Sequence, residues 1–441
     1  MRLWTAKVHP GTKGPRQHLL PPDIMRKILL SVGAIIFGAS LLTLANGAVS
    51  TFLTVEMAKT GVPPALVGLV ITGHAIGFIL GCFIAGRAIR MVGHIRVFAA
   101  FAAAAAIATM AYTMSEVWWL WLVLRMIVGF CSAGLFTVAE SWMSDRTPKE
   151  QRGSALSIYM ISNKLAFASG QGLLILNETY GFVVLLVMSA LYSFALIPVA
   201  MTRSTGPNIP QVSTLHFKTV YRIAPAGLVG AVAVGLMTSA VLGVTPVYGA
   251  ALTLSTEMIA LLVAALQIGS LFFQWPLGWM SDRMDRRVII VGATLAVVAI
   301  SAVLAFSGPL PQPVLIGLFA LWGGVGLSIY GICVAHANDF APPGTTVALS
   351  SSLLLAWATG SIIGPTVSSL LIQLMGPGGL FVFTGTVALS LAVFVLYRMT
   401  RRAARPVEER DVFINIPATS PAMGQLARGD QIGTGEPAPK P

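Results

Sequence analysis

A small set of ionisable side chains lies inside long apolar runs of this sequence, a position suited to binding a solute or a proton. A charged group at the centre of a bilayer costs at least about 2.5 kcal/mol on insertion scales, so a residue retained there is a functional candidate by default. Three of these residues lie deep within their runs and three lie nearer the run ends: His74, Arg125 and Lys164, and then Glu140, His336 and Asp339.

Polar residues also recur at a helical spacing. Ser157 and Gln171 lie seven residues before and after Lys164, and Gln267 and Gln274 have the same spacing in a later run. Residues seven apart share one face of a helix. The pattern predicts two polar faces that line a cavity for a small solute. For the glutamine pair alone, hydrogen bonding between neighbouring helices is the alternative.

Each candidate also has a structural interpretation. Glu140 and Asp339 can pair with arginines of nearby charged loops, and His74 can be a neutral histidine that donates to a helix carbonyl. Arg125 lies close enough to one run end to extend its guanidinium outward. Lys164 can be uncharged, with a role in packing or proton transfer instead of anion binding.

The residue pattern does not indicate enzymatic chemistry. The six histidines are dispersed, and the sequence has no paired carboxylates, nucleophile–base pair or metal-ligand spacing. The three cysteines all fall within apolar runs, which is typical of small packing residues. We therefore expect no enzyme activity, no cofactor and no metal site.

The composition indicates the elements that position these residues. Of 441 residues, 56% are hydrophobic and 10% are charged, whereas soluble domains carry about 25% charged residues. This predicts an all-α polytopic membrane protein. The net charge of +12 would suit nucleic acid only if the basic residues formed one soluble face, but they are scattered between apolar runs. The expected partners are the lipid bilayer and a small-molecule solute, with no nucleic acid.

Twelve apolar runs are long enough to be spanning helices, which need about 20 residues. The third, sixth, ninth and twelfth runs have no charge in their interiors, so we expect them to face lipid. The runs are residues 28–55, 65–86, 96–114, 117–143, 153–176, 181–201, 224–249, 257–281, 288–307, 312–338, 346–374 and 379–399.

The basic residues predict the orientation of these runs. All but three of the 28 Lys and Arg residues lie in the terminal segments, in the even-numbered gaps or at the adjoining run ends. Arg125 and Lys164 are inside runs, so Lys59 alone lies in an outer gap. By the positive-inside rule both termini are expected in the cytoplasm, with the protein in the bacterial inner membrane.

A charged turn separates the eighth and ninth runs. It reads Gly278-Trp-Met-Ser-Asp282-Arg283-Met-Asp285-Arg286-Arg287 and resembles the loop signature GxxxDRxGRR of the major facilitator superfamily of secondary transporters, with Asp285 in place of the glycine. The resemblance implies a cytoplasmic gate in which Asp282 caps the fifth helix near Gly153, and in which arginines pair with acids or lipid phosphates. The implied gate residues are Gly278, Asp282, Arg283, Arg286 and Arg287.

Other stretches are similar to the same family. They include an RxxxG element at residues 125–129, a loop with acid, Pro and Arg-Gly at residues 145–153, and a GxxxGP element at residues 360–365. The Ala-His-Ala-Asn-Asp stretch at residues 335–339, followed by a Ser-rich run, resembles the YcaD-like branch.

An internal repeat divides the chain into two six-helix halves. Val138-Ala-Glu140 and Val334-Ala-His336 end the fourth and tenth runs, and an Ala-Leu-Ser sequence begins both the fifth and the eleventh. The resemblance implies two pseudo-symmetric halves around a midplane cavity, and we expect a monomer. The expected segments are a cytoplasmic N-terminal segment 1–27, the halves 28–201 and 224–399, a cytoplasmic linker 202–223, and a disordered cytoplasmic tail 400–441.

The resemblance implies a secondary active transporter that works by alternating access. Because the central ionisable residues are basic and no carboxylate is central, an anionic or neutral polar solute is favoured. Proton coupling through His74, Glu140, His336 or Asp339 is a further hypothesis. A multidrug efflux protein is one alternative, and a non-transporting sensor or scaffold on the same fold is another.

Overall fold

The computed structural model describes residues 22–148, 151–176, 181–201, 215–342 and 344–402, and from the tail residues 405, 406, 410, 413, 418 and 419. These residues are mainly helical, and no strand occurs among them. Short 3₁₀ turns, Tyr112–Met114 and Gln171–Leu176, follow α3 and α5. The helices are α1 (Pro22–Lys59), α2 (Pro64–Val92), α3 (His94–Ala111), α4 (Trp118–Arg146), α5 (Arg152–Gly170), α6 (Val183–Ala200), α7 (Phe217–Ile223), α8 (Pro225–Ala251), α9 (Thr256–Arg283), α10 (Arg286–Phe306), α11 (Gln312–Gly326), α12 (Ile329–Asp339), α13 (Thr346–Met375) and α14 (Gly379–Arg401).

The predicted all-α membrane fold is confirmed. Among the described residues, 11 spans are long and apolar enough to cross a membrane, with α11 and α12 counted as one span. The predicted run that is missing from these 11 spans is the fifth, residues 153–176. It corresponds to α5, a helix of 19 residues that carries Lys164 near its middle and is therefore less apolar. The predicted run 312–338 is interrupted after Gly326, and α1 begins at Pro22 rather than at residue 28.

Helix packing repeats between the N-terminal half (α1–α6) and the C-terminal half (α8–α14). The contacts of α1 with α5, α2 with α4, and α3 with α6 recur as contacts of α8 with α13, α9 with α11, and α10 with α14. Glycines allow equivalent close approaches in both halves. A Cβ at Gly77 would lie 1.9 Å from the Met126 carbonyl oxygen, and one at Gly269 would lie 1.9 Å from the Ala320 carbonyl oxygen.

The two halves meet toward one end of the bundle and near its middle. We call the end with the α9–α10 turn the inner end and the opposite end the outer end, after the orientation predicted from the basic residues. Between mid-depth and the outer end, the Thr72 hydroxyl of α2 donates to the Ile362 carbonyl of α13 over 2.8 Å. Closer to that end, the Ala65 N–H donates to the Gln373 Oε1 over 3.2 Å.

Tail residues lie between the halves at the inner end. The Phe413 N–H donates to the Asp282 Oδ1 of the C-terminal half over 2.8 Å. The Thr419 hydroxyl donates to the Glu140 Oε1 of the N-terminal half, and Ala418 packs against the apolar core. The predicted disordered tail 400–441 lies mostly outside the described residues, and these contacts concern only the few tail residues that are described. The Pro- and Gly-rich composition of the tail did not indicate that its donors would bind the buried Glu140 carboxylate and the half-buried Asp282 carboxylate.

Candidate substrate cavity and inner gate

Lys164 extends from the middle of α5 to the opposite half. Its Nζ donates to the Ser270 Oγ of α9 over 2.5 Å, and the Ser270 hydroxyl donates in turn to the Gln267 carbonyl over 2.7 Å. Ser270 is fully buried, whereas Lys164 is half-buried. The Lys164 amine therefore connects the two halves at mid-depth.

The three residues of the predicted polar face of α5 do not form one continuous surface. They lie at different depths, and Gln171 lies beyond the end of the α-helix. The Ser157 side chain is exposed, and its hydroxyl donates to the Gly153 carbonyl of its own helix over 2.9 Å. Gln171 falls in the 3₁₀ turn after α5, where it is buried and donates to the Phe167 carbonyl over 3.1 Å. Neither side chain forms a hydrogen bond with Lys164.

The predicted polar face of α9 lies opposite α5. Gln267 and Gln274 are both half-buried, and Ser270 lies between them in sequence and accepts from Lys164. The structure therefore brings Lys164 and the α9 face together, with a serine as the direct contact.

Arg125 and His74 form a separate polar region within the N-terminal half. Arg125 is 3% exposed, and its Nη2 donates to the Ser50 Oγ of α1 over 3.0 Å. Its guanidinium is thus buried against α1 and does not extend to the outer surface. A Cβ at Gly129 would lie 2.1 Å from the His74 carbonyl oxygen, so α2 and α4 are in backbone contact next to Arg125.

Glu140 is fully buried near the inner end of α4. Its Oε1 accepts from the Tyr159 hydroxyl of α5 over 2.7 Å and from the Thr419 hydroxyl of the tail. Hydroxyl donors from α5 and the tail contact this oxygen. The carboxylate therefore links α4, α5 and the tail.

The implied gate residues Gly278 and Asp282 contact the tail in this conformation. Asp282 accepts from the Phe413 N–H over 2.8 Å and lies 3.5 Å from the Arg286 Nη2. A Cβ at Gly278 would lie 2.6 Å from the Phe413 ring. No side chain caps the N-terminus of α5, so the implied contact of Asp282 with that helix is absent from the described arrangement.

Arg286 is the buried centre of the charged turn. It is 1% exposed, and its Nε donates to the Asp339 Oδ2 at the end of α12 over 2.8 Å. Its Nη1 donates to the Ser281 Oγ over 2.9 Å. Asp339 thus pairs with an arginine of the charged turn, which is the structural alternative given for it in the sequence analysis.

Asp285, which stands where the family signature has glycine, has a structural role in the turn. It is the N-cap of α10, and its Oδ1 accepts from the Arg287 N–H over 3.0 Å. Its Oδ2 also accepts from the Arg287 Nη2 over 2.8 Å. Burial alone would raise the pKa of Asp285, but these hydrogen bonds and the Arg287 charge hold the pKa below its ordinary value. Asp285 is therefore a cap and an ion-pair partner.

The other two candidates near the turn have different surroundings. Arg283 is exposed, and its guanidinium carbon lies 3.9 Å from the centre of the Trp279 ring, an arrangement typical of a cation–π contact. His336 is buried at the inner end of α12, with its ring centre 5.2 Å from that of Phe340. His336 and Glu140, the matching residues of the repeat, both lie at the inner end.

Sequence reasoning missed three polar partners. Ser270 and Tyr159 were not among the candidates, which were chosen mainly because they are ionisable. Both nevertheless lie within one or two helical turns of a candidate residue. Asp285 was treated as a mismatch to a signature. Its position directly before a helix, two residues from the N–H that it accepts, is the N-cap pattern that identifies its role.

A helical bundle built from two equivalent halves, with a lysine between them and a charged turn at one end, defines an integral membrane protein of the transporter type. The sequence model of the Major Facilitator Superfamily matches residues 35–250 and 227–431. The chain therefore belongs to the Major Facilitator Superfamily and is a transporter of that family.

Bacterial relatives agree with this assignment. The chain is 26% identical over 362 residues to an uncharacterized MFS-type transporter of Yersinia enterocolitica, covering 81% of this chain and 93% of the relative. It is 24% identical over 372 residues to the uncharacterized MFS-type transporter YcaD of Escherichia fergusonii, covering 84% and 96%. The resemblance to the YcaD-like branch is thereby confirmed.

Solved structures show the same fold. The nucleoside transporter NupG aligns with a TM-score of 0.68 at 12% identity, covering 84% of this chain and 99% of that one. A bacterial homologue of the human lysosomal transporter Spinster, in an inward-facing and occupied conformation, aligns with a TM-score of 0.68 at 14% identity, covering 89% and 99%. At these identities the likeness concerns the fold alone.

Proposed function

We propose that this protein is a secondary active transporter that moves a small anionic or neutral polar solute by alternating access. The observation that carries the proposal is the hydrogen bond from Lys164 to Ser270, which joins the two halves at mid-depth. In transporters built from two repeated halves, the substrate site lies near the midplane where the halves meet. Lys164, Ser270 and the α9 glutamines are the side chains that would meet the solute.

The contacts between the halves support a conformation that is open toward the inner end. Direct hydrogen bonds join the halves between mid-depth and the outer end, through Thr72 and Ala65. At the inner end, Phe413 and Thr419 of the tail donate hydrogen bonds to carboxylates of opposite halves. In the alternate state the inner ends would approach, and Asp282 would exchange the Phe413 N–H for the N-terminus of α5.

The charges of the cavity support an anionic or neutral polar solute. Within the described residues, the ion pairs involve carboxylates at the helix ends and not Lys164. A positive charge without a neighbouring carboxylate attracts anions and repels cations. Multidrug proteins that export lipophilic cations need a membrane-embedded acid near the site, and Glu140 is held at the inner end by Tyr159.

Proton coupling is part of the same proposal, with Glu140 as its first candidate. The carboxylate is fully buried, and two of its hydrogen bonds come from α5 and the tail. Because α5 is also the helix of Lys164, protonation of Glu140 would weaken a contact that positions the solute site. Asp339 is a weaker candidate because it is paired with Arg286.

The proposed orientation has both termini in the cytoplasm, so that the inner end faces the cytoplasm. The distribution of Lys and Arg supports it. Lys59, at the opposite end of α1, is exposed and lies 3.8 Å from Glu56, as expected of a residue in the outer aqueous layer.

Uptake into proteoliposomes tests the proposal. A panel of organic anions, neutral polar solutes and cationic dyes would be assayed with and without a proton gradient, for the wild type, Lys164→Gln, Lys164→Arg and the control Lys59→Gln. We expect uptake of an anion or neutral solute, at least a tenfold loss with Lys164→Gln and partial retention with Lys164→Arg. A proton-carrying lysine would fail with both substitutions.

Two outcomes would count against the proposed solute class or the proposed activity. Transport of a cationic dye that is unaffected by Lys164→Gln would exclude the anionic-cavity interpretation and favour multidrug export. Absence of uptake across the panel, with a correctly folded protein, would favour a non-transporting sensor or scaffold.

A further inference from the structure

A basic cleft opens at the inner end of the C-terminal half, away from Lys164 and Ser270. Its polar lining includes Arg287, Arg398 and Arg402, with His336 and the Phe340 ring beside them. The cleft lies between the start of α8 and the ends of α12 and α14. None of the steps of the proposed transport cycle uses it.

The cleft has more positive charge than the described residues around it neutralise. Arg287 is paired with Asp285 at 2.8 Å, but Arg398 and Arg402 take part in none of the ion pairs between described residues. Burial, and then the charges of Arg398, Arg287 and Arg405, lower the pKa of Arg402. Like charges held together in this way are stabilised by an anion.

The guanidinium groups are already oriented by the protein. The Arg402 side chain donates to the Ile223 carbonyl over 3.0 Å and lies flat against Phe340, with its guanidinium carbon 4.0 Å from the ring centre. Arg287 donates to the Arg402 carbonyl over 2.7 Å. The Arg398 side chain forms no hydrogen bond with any described residue and is therefore available to a ligand. Planar guanidinium groups fixed around one space suit a phosphate group.

The residues around the cleft indicate that it lies at the depth of the lipid headgroups. The short helix α7, which ends at the cleft, exposes the aromatic side chains of Phe217 and Tyr221. On α14 the exposed Tyr397 ring is covered by Arg401, whose guanidinium carbon is 5.3 Å from the ring centre. Exposed aromatic and basic residues of this kind are typical of membrane–water interfaces.

We propose that this cleft binds the phosphate group of an anionic phospholipid from the inner leaflet. Arg398 and Arg402 hold the phosphate, and Arg287 adds charge from the opposite wall. Basic pockets between spanning helices on the cytoplasmic side are suited to anionic headgroups. The bound lipid would connect α14 with α10 and the start of α8, and would thereby stabilise the inner end of the C-terminal half.

Thermal unfolding of the full-length protein in neutral detergent tests this site. The unfolding midpoint would be measured with added phosphatidylglycerol, phosphatidylcholine or inorganic phosphate, at two salt concentrations. The variants are Arg398→Gln and Arg402→Gln, and the matched control is Arg401→Gln at the same end of α14. Arg398→Gln removes no hydrogen bond of the described protein, so it separates lipid binding from folding.

We expect phosphatidylglycerol to raise the midpoint of the wild type and of Arg401→Gln by several degrees, with a smaller effect at high salt. The apparent affinity should fall at least tenfold in Arg398→Gln and in Arg402→Gln. Equal shifts in all variants, or equal shifts with phosphatidylcholine, would overturn the site. If inorganic phosphate alone raised the unfolding midpoint as much as phosphatidylglycerol does, the cleft would be a phosphate site and the assignment to lipid would be overturned.

Discussion

Asp285 combines two local functions in one residue. Its carboxylate caps α10 through the Arg287 N–H and forms an ion pair with the Arg287 side chain, which is 6% exposed. A glycine at this position would retain most of the capping propensity, because glycine is itself an acceptable N-cap residue. It would, however, leave a buried guanidinium without its carboxylate, and that loss is the larger effect.

We therefore expect Asp285→Gly to lower the free energy of unfolding by about 1–3 kcal/mol, although it restores the family signature. The measurement is the unfolding midpoint of the purified protein. Asp285→Asn is the matched control, because asparagine caps a helix as well as aspartate does but carries no charge. If Asp285→Gly were as stable as the wild type, the ion pair would have no structural value.

The pH dependence of this pair has a definite sign. Because the pKa of Asp285 is lowered in the folded protein, the pair stabilises the protein above the ordinary carboxyl pKa of about 4. The stabilisation is lost as pH falls through the lowered value. The difference in stability between the wild type and Asp285→Asn should therefore be constant near neutral pH and shrink below about pH 4. A difference that grew on acidification would contradict this assignment.

At the scale of helices, small residues determine where the two halves meet. A Cβ at Gly68 of α2 would lie 2.6 Å from the Pro365 carbonyl oxygen of α13, which belongs to the opposite half. A methyl group cannot be accommodated at that distance without a shift of backbone. Gly68 therefore permits the close contact of the halves near the outer end.

Gly68→Val should separate α2 from α13 and shift the protein toward a state that is open at the outer end. Overpacking costs about 1–3 kcal/mol, which corresponds to a change of roughly 5–150-fold in the equilibrium. The measurement is labelling of a cysteine at position 366 on the facing helix. Gly172→Val is the control, because nothing lies within 4 Å of a Cβ there. Unchanged labelling with a lower unfolding midpoint would indicate a folding defect alone.

The helices were predictable from the sequence because lipid imposes one long apolar run on each spanning segment. Composition does not show where an α-helix changes to a 3₁₀ turn, so the end of the α5 polar face before Gln171 was not predicted. The ionisable candidates were found because charge in an apolar run is conspicuous. Their partners Ser270 and Tyr159 were not found, because neutral hydroxyls are common in membrane helices and their role depends on a neighbouring helix.

At the scale of the whole molecule, the tail connects the two halves at the inner end. Phe413 binds Asp282 through its backbone, and Thr419 binds Glu140 through its side chain. Under the proposed cycle both contacts exist only while the inner ends are apart. The tail is therefore expected to favour the conformation described here.

Ending the chain after Arg402 should shift the equilibrium toward closure of the inner end by at least about tenfold, because it removes two hydrogen bonds to carboxylates and one such bond contributes about that much. Phe413→Pro removes the N–H donor and should act in the same direction. Phe413→Ala is the matched control, since it retains the N–H and loses only the ring. Equal behaviour of the proline and alanine variants would show that the Asp282 contact is not the cause.

Alternating access requires the two ends of the bundle to open and close reciprocally, and distances between spin labels measure this directly. Exposed pairs are available at the inner end, Asp145 with Pro342, and at the outer end, Thr60 with Met375, in a chain whose three cysteines are replaced by serine. Double electron–electron resonance in lipid nanodiscs should give two populations for each pair, and tail removal should shorten the inner distance while it lengthens the outer one. A single distance at both ends, or changes in the same direction at both, would contradict the proposed mechanism.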